Sequence, residues 1–176
     1  MEHKTKKMIC ALFAVWVSAS ANAAPAEVAL HFVDDKGVTT SAGVVQYEDT
    51  EFGLLLTPKL TGLSRGQHGF HIHEKPSCAP AMVNEKLVAA GGAGAHYDPD
   101  KTGKHGSPYD KLAHRGDLPA LFVADDGTAT YPVLAPRLMA KELQGRSIMV
   151  HVGGDNHSDH PNPLGGGGAR LACGVF

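Results

Sequence analysis

The residues best equipped for chemistry in this chain are six histidines and one aspartate between positions 71 and 151. His71 and His73 lie in Gly69-Phe70-His71-Ile72-His73. Further along come His96 in Gly94-Ala95-His96-Tyr97-Asp98, His105, His114 with Asp117 in His114-Arg115-Gly116-Asp117, and His151 in Met149-Val150-His151-Val152-Gly153-Gly154. Imidazole nitrogen is the commonest protein ligand for copper and zinc. In a strand, alternate residues share a face, so His71 and His73 project together while Phe70 and Ile72 face the other way. His151, in a second apolar run, is a candidate third nitrogen. A lone strand histidine is ordinarily a satisfied core residue, so that alternative stays open. His96, His105 and His114 are spaced nine apart, with Asp117 three residues beyond the last. Three nitrogens and a carboxylate make the closed tetrahedral set of a structural zinc site. His96 lies nearest the end of the His71–His73 strand and is a candidate for both sets, because an imidazole stripped of both protons binds two cations.

The elements that must position these residues read as short strands. Val28 to Val33, Ser41 to Tyr47, Phe52 to Leu60, Gly66 to His73, Leu118 to Val123, Thr128 to Val133, Ser147 to Val152 and Leu171 to Val175 carry β-branched and aromatic residues between turns. Asp34-Asp35-Lys36-Gly37 and Asp125-Asp126-Gly127 are hairpin signals, whereas Gly53 and Pro58 weaken the third run. One weak helical stretch covers Leu138 to Gln144. Eight short strands with tight turns predict an all-β antiparallel sandwich or flattened barrel. Two long stretches, Glu74 to Gly116 and Gly153 to Gly168, do not read as strands. Loops of that length in a compact domain are functional or disordered, and the histidines in both favour function.

Lys4, Lys6 and Lys7 precede the apolar run Met8 to Val17, and Ser18 to Ala23 supplies small residues ending in Ala-x-Ala. Residues 1–23 therefore read as a cleaved secretory signal peptide and 24–176 as one domain. The leader's three lysines and one glutamate carry +2, so the whole-chain charge of −2 leaves −4 on the remainder. An acidic domain is no nucleic-acid binder by charge, and no later segment is apolar enough for a membrane span. Cys10 leaves with the leader. Cys78 and Cys173 then form an even pair, which in an exported chain reads as one disulfide.

In combination, Gly69 to Glu74, Gly94 to Pro99, His114 to Pro119 and Gly165 to Val175 resemble the copper,zinc superoxide dismutase family, in particular its bacterial, periplasmic branch. The resemblance spans essentially the whole mature chain. It implies a Greek-key β-sandwich, the architecture in which that enzyme is grouped. It makes His71, His73, His96 and His151 the copper ligands and His96, His105, His114 and Asp117 the zinc ligands, with His96 the bridge. Cys78 and Cys173 match the family disulfide, and Arg170 matches the arginine beside the copper. Asp155, four residues after His151, matches the carboxylate linking copper and zinc ligands, with Asp159 a weaker candidate. His31, His68, His157 and His160 match no ligand position and read as surface or packing residues, with His157 and His160 candidates for incidental metal binding. The segment from His73 to His96 is longer than in the cytosolic pattern, and the charged loop before the glycine run is short, so steering residues there do not transfer. The quaternary state is left open between monomer and homodimer.

The implied reaction is dismutation of superoxide to dioxygen and hydrogen peroxide in the periplasm, protecting the cell envelope. It needs a metal that cycles by one electron, which copper is and zinc is not. Arg170 and His96 would serve catalysis, the first as a fixed cation for the anionic substrate and the second as a proton carrier. Two other readings are a non-catalytic periplasmic copper- and zinc-binding protein and a zinc hydrolase. The second needs an open zinc beside a general base, which a closed His3Asp set does not provide.

Overall fold

A computed structural model describes residues 25–176; the signal peptide read at 1–23 lies outside the described residues. Strands β1 (Ala26–Asp34), β2 (Gly37–Thr50) and β3 (Gly53–Leu60) run as an antiparallel meander. The first turn is held by Asp34, whose carboxylate accepts from the backbone N–H groups of Lys36 and Gly37 at 2.7 and 3.0 Å. Alternation puts Val28, Leu30, Val45, Leu54, Leu56 and Leu60 inside, each nearly or fully buried. Pro58 does not interrupt β3, which pairs it with Val45.

Seven strands join one curled sheet, ordered β5 (Phe70–His73), β10 (Ser147–His151), β11 (Arg170–Val175), β1, β2, β3, β9 (Val133–Ala135). The return of β11 from the chain's end to lie beside β1 gives the 4-1-2-3 order of a Greek key. A separate pair, β4 (Gly66–His68) with β8 (Leu121–Val123), covers the core from the other layer. One apolar cluster unites Leu30, Leu56, Phe70, Ile72, Leu121 and Ile148, so the sheet wraps around a common interior. The fold is therefore the expected all-β Greek-key sandwich. Its body has eight strands when β4 and β5, parted at Gly69, count as the one run read from the sequence.

The structure corrects the sequence reading at three places. The long stretch from Glu74 to Gly116 is not strandless: β6 (Ala81–Val83) and β7 (Lys86–Val88) form a hairpin within it. Thr128 to Val133 touches the sheet only where Ala129 bridges Leu60, and the strand proper begins at Val133. The helical stretch at Leu138 to Gln144 shrinks to a 3-10 turn, Ala140–Glu142. Too few residues there carry an apolar face to hold an α-helix against the sheet.

Cys78 and Cys173 are disulfide-bonded, with Cα atoms 5.8 Å apart across 95 residues of sequence. The bond packs with Ala90, Ala93 and Met149 in a second small core and ties the loop after β5 to β11. Replacing both cysteines with serine is expected to cost about 2–5 kcal/mol of stability. Calorimetric unfolding of the double variant beside the native chain measures the loss.

Candidate metal centre

Strand β5 is buried on both faces. Phe70 and Ile72 enter the apolar core, and His71 and His73 face the opposite side, beneath the loops. The free edge of β5 collects the rest of the centre. Ile72 donates its N–H to Gly116 at 2.9 Å and accepts from Tyr97 at 2.8 Å, while His71 bridges Asp117 and His73 bridges His96. Two loop segments thus dock as short strand-like pieces, and backbone hydrogen bonds bring His96 and Asp117 beside the His71–His73 pair. Gly116 permits this approach, because a Cβ there would sit 2.9 Å from the Tyr97 nitrogen. On the other edge, β10 pairs with β5, and His151 donates its N–H to the Gly69 carbonyl at 2.8 Å.

The ring nitrogens sort into outward and inward sets. Outward, His71 Nε2 meets Asp155 Oδ2 at 2.7 Å, His73 Nδ1 meets the Gly94 carbonyl at 3.0 Å, and His151 Nδ1 meets the Gly168 carbonyl at 3.1 Å. Inward, His71 Nδ1, His73 Nε2 and His151 Nε2 are buried without any hydrogen-bond partner. Together with His96, these residues bring four ligand atoms within 4.8 Å of one another. A second group at the same spacing holds His71, His96, His105 and Asp117. His105 Nε2 is tied to Asp155 Oδ1 at 2.8 Å and His96 Nδ1 to Asp117 Oδ1 at 2.8 Å. His105 Nδ1 and His114 Nδ1 lie 3.0 and 3.4 Å from that same Asp117 oxygen, yet neither makes a hydrogen bond. His114 stands at the rim of this group, its side chain 12% exposed.

A buried polar atom left unpaired costs about 1–3 kcal/mol, so five such nitrogens converging from both sides of His96 need a compensating partner. Cations fit: neutral imidazoles suit copper on one side, and three imidazoles with a carboxylate suit zinc on the other. Electrostatics agree. Burial, then the neighbouring His96, lowers the pKa of His71 and His73 well below the ordinary value, and the same causes lower His151 to about 4. His96 is lowered by burial despite its hydrogen bond to Asp117. Burial opposes ionisation of Asp117 and Asp155, but the histidines that surround them outweigh it and hold both carboxyls well below the usual range. Burial also opposes a charge on His105, but Asp117 and Asp155 raise its pKa to about 9.

The two candidates for the linking carboxylate are placed differently. Asp155 joins His71 to His105 through its two oxygens, whereas Asp159 accepts only backbone N–H groups, from His105 at 3.0 Å and Leu164 at 3.1 Å. Gly165 (φ 71°) lies against this link; a Cβ would collide with Asp155 Oδ1 and sit 2.8 Å from His105 Nε2. Arg170, opposite His151 across β10 and β11, donates to the carbonyls of Ala90 and Gly94 on the disulfide-tethered side. Two supporting residues escaped the sequence reading of function. Arg137 donates to the carbonyls of Pro108, Ala113 and His114, fixing the loop that carries His105 and His114. His68, read as a surface or packing residue, is buried with Nδ1 2.6 Å from the His151 carbonyl.

Buried inward-facing nitrogens on a Greek-key sandwich define a histidine-built centre for two cations. Comparison with known proteins agrees. The family description "Copper/zinc superoxide dismutase (SODC)" matches residues 39–176. "Superoxide dismutase [Cu-Zn]" of Haemophilus ducreyi is 58% identical over 145 residues, 82% of this chain and 73% of that one. The Neisseria meningitidis protein of the same name is 55% identical over 151 residues, 85% of this chain and 81% of its own. Among solved structures, Cu/Zn superoxide dismutase from Brucella abortus superposes with a TM-score of 0.83 at 46% identity, over 85% of this chain and 97% of that one. The monomeric copper, zinc superoxide dismutase from Salmonella enterica gives 0.76 at 52% identity, over 86% and 99%. The chain belongs to the copper/zinc superoxide dismutase family.

Asp155→Asn keeps the shape but cannot accept from both His71 and His105, and a zinc-competition titration should find affinity lowered about 10- to 100-fold. Asp159→Asn should change it less. The metal-free protein should be most stable near pH 6.5. Below that, the unfolded chain takes up protons at His71, His73, His96 and His151 that the folded chain refuses, so stability falls toward pH 4. His105 acts the other way: its contribution is complete below its unfolded pKa and lost as pH rises through about 9. Denaturant unfolding between pH 4 and 10 checks both arms.

Proposed function

We propose that the protein is a periplasmic copper,zinc superoxide dismutase. It turns two superoxide anions and two protons into one dioxygen and one hydrogen peroxide, protecting the cell envelope. The observation that carries the reading is the convergence of unpartnered buried nitrogens on two sides of His96. His71, His73, His96 and His151 would hold copper; His96, His105, His114 and Asp117 would hold zinc. Copper there supplies one-electron redox chemistry, and zinc supplies a fixed charge without changing oxidation state.

The chain's own groups do the rest. Arg170 is a half-buried cation whose guanidinium is held by two carbonyls, so it can draw an anion toward the His73 and His151 side of an otherwise acidic protein. His96 meets Asp117 through Nδ1, so Nε2 is the atom left to face the copper side and to hold a proton for the peroxide when it is not a ligand. Asp155 fixes the ring orientations of His71 and His105, leaving their Nδ1 atoms as lone pairs. All these residues come from one chain, so the activity does not require a homodimer. Export is supported by the leader pattern at 1–23 and by the Cys78–Cys173 disulfide, a bond that persists outside the reducing cytoplasm. No observation favours a purely metal-storing role, which has no use for a tethered Arg170.

Loaded with one copper and one zinc, the protein should consume superoxide in a pulse-radiolysis assay; an inactive, fully metallated protein would sink the reading. Arg170→Ile should slow that reaction about tenfold or more and flatten its ionic-strength dependence while copper content stays unchanged.

A further inference from the structure

A third cluster of ligand atoms adjoins the second group and shares His105 with it. His105, Asp155 and His157 bring one ligand atom each within 4.8 Å of one another. His105 and His157 line a cavity of about 400 Å³ open to solvent, together with Asp159, His160, Asp110 and Lys104. His157 is held in the left-handed region (φ 55°), and its backbone N–H donates to Asp155 Oδ1 at 2.7 Å. Its ring Nδ1 lies 3.7 Å from that oxygen, buried and without a hydrogen-bond partner, although the side chain is 30% exposed to the cavity. A histidine in a strained backbone conformation with an orphaned inner nitrogen is not simply a surface residue.

The geometry points to a role in metal entry: we propose that His157 Nδ1, Asp155 Oδ1 and His105 Nε2 form a capture site through which zinc passes from the cavity into the centre. This rests on the zinc assignment proposed above. His105 is the partition between the two spaces. Its Nε2 faces Asp155 on the cavity side, and its Nδ1 faces Asp117 on the inner side. Zinc bound by nitrogen and oxygen holds its ligand atoms roughly 3.4 Å apart in a tetrahedron. Asp155 Oδ1 stands 2.8 Å from His105 Nε2 and 3.7 Å from His157 Nδ1, and because His105 and Asp155 are already engaged with each other, a cation held there is in passage rather than resident. The cavity wall favours a cation, since Asp110 and Asp159 line it with the single ammonium of Lys104, itself paired with Asp110 at 3.5 Å. The competing route runs past His114, whose side chain is 12% exposed.

The test follows zinc uptake by the metal-free protein against a chromophoric zinc indicator in a stopped-flow instrument. His157→Asn is the informative variant, because asparagine accepts a left-handed backbone and keeps the N–H that Asp155 receives. The proposal expects association and dissociation both to slow about tenfold, with affinity unchanged, as for a group that lowers an entry barrier. Uptake at the wild-type rate would place entry elsewhere, past His114, and overturn the capture site alone. Weakened affinity with an unaltered association rate would make His157 a structural support and overturn it too. A native chain that takes up no zinc would overturn the zinc assignment itself. As a second readout, the imidazole resonances of His157 in Asp117→Ala protein should still shift on titration with zinc; unmoved resonances count against capture.

Discussion

An imidazole has two nitrogens, and in this protein one of them is almost always engaged facing away from the centre. Asp155 takes the outer nitrogens of both His71 and His105, Gly94 takes that of His73 and Gly168 that of His151. A neutral ring that donates outward can present only a lone pair inward. The tautomers of His71, His73 and His151 are thereby set by acceptors in two loops. A buried cluster of uncommitted imidazoles would rotate, protonate or fill with water; here each ring is aimed before any cation arrives.

The sheet edge solves a second problem at the same place. β5 ends the seven-stranded sheet, and an unpaired edge is a hazard that proteins must cover. The segments around Tyr97 and Gly116 cover it with backbone hydrogen bonds. Binding geometry and edge protection are therefore the same set of contacts. That explains why β5 tolerates histidines at two of its four positions while remaining buried throughout.

What could be read from the chain alone followed from short-range periodicity. The pairing of His71 with His73 and the separation of both from Phe70 and Ile72 come from the strand's period of two. Grouping His105, His114 and Asp117 needed only their spacing, but their distances from Asp117 could not be foreseen, because a loop has no period. Choosing Asp155 over Asp159 as the link was beyond the residues themselves, since both lie in one polar loop and only the path of Gly165 separates them. The β6–β7 hairpin escaped notice because its turn puts Asn84 and Glu85 in the left-handed region (φ 48° and 64°) without the glycine that usually marks such a turn. Arg137 was invisible for another reason. It acts through backbone carbonyls 23 to 29 positions away, and a carbonyl leaves no trace in residue identity.

The Gly94 carbonyl accepts from both His73 and Arg170. One oxygen is thus the common reference point for a ring of the centre and for the cation beside it. His73 stands on β5 and Arg170 on β11, so the shared oxygen acts as a gauge block between two strands of the sheet and sets the gap between guanidinium and imidazole, the dimension an approaching small anion would meet.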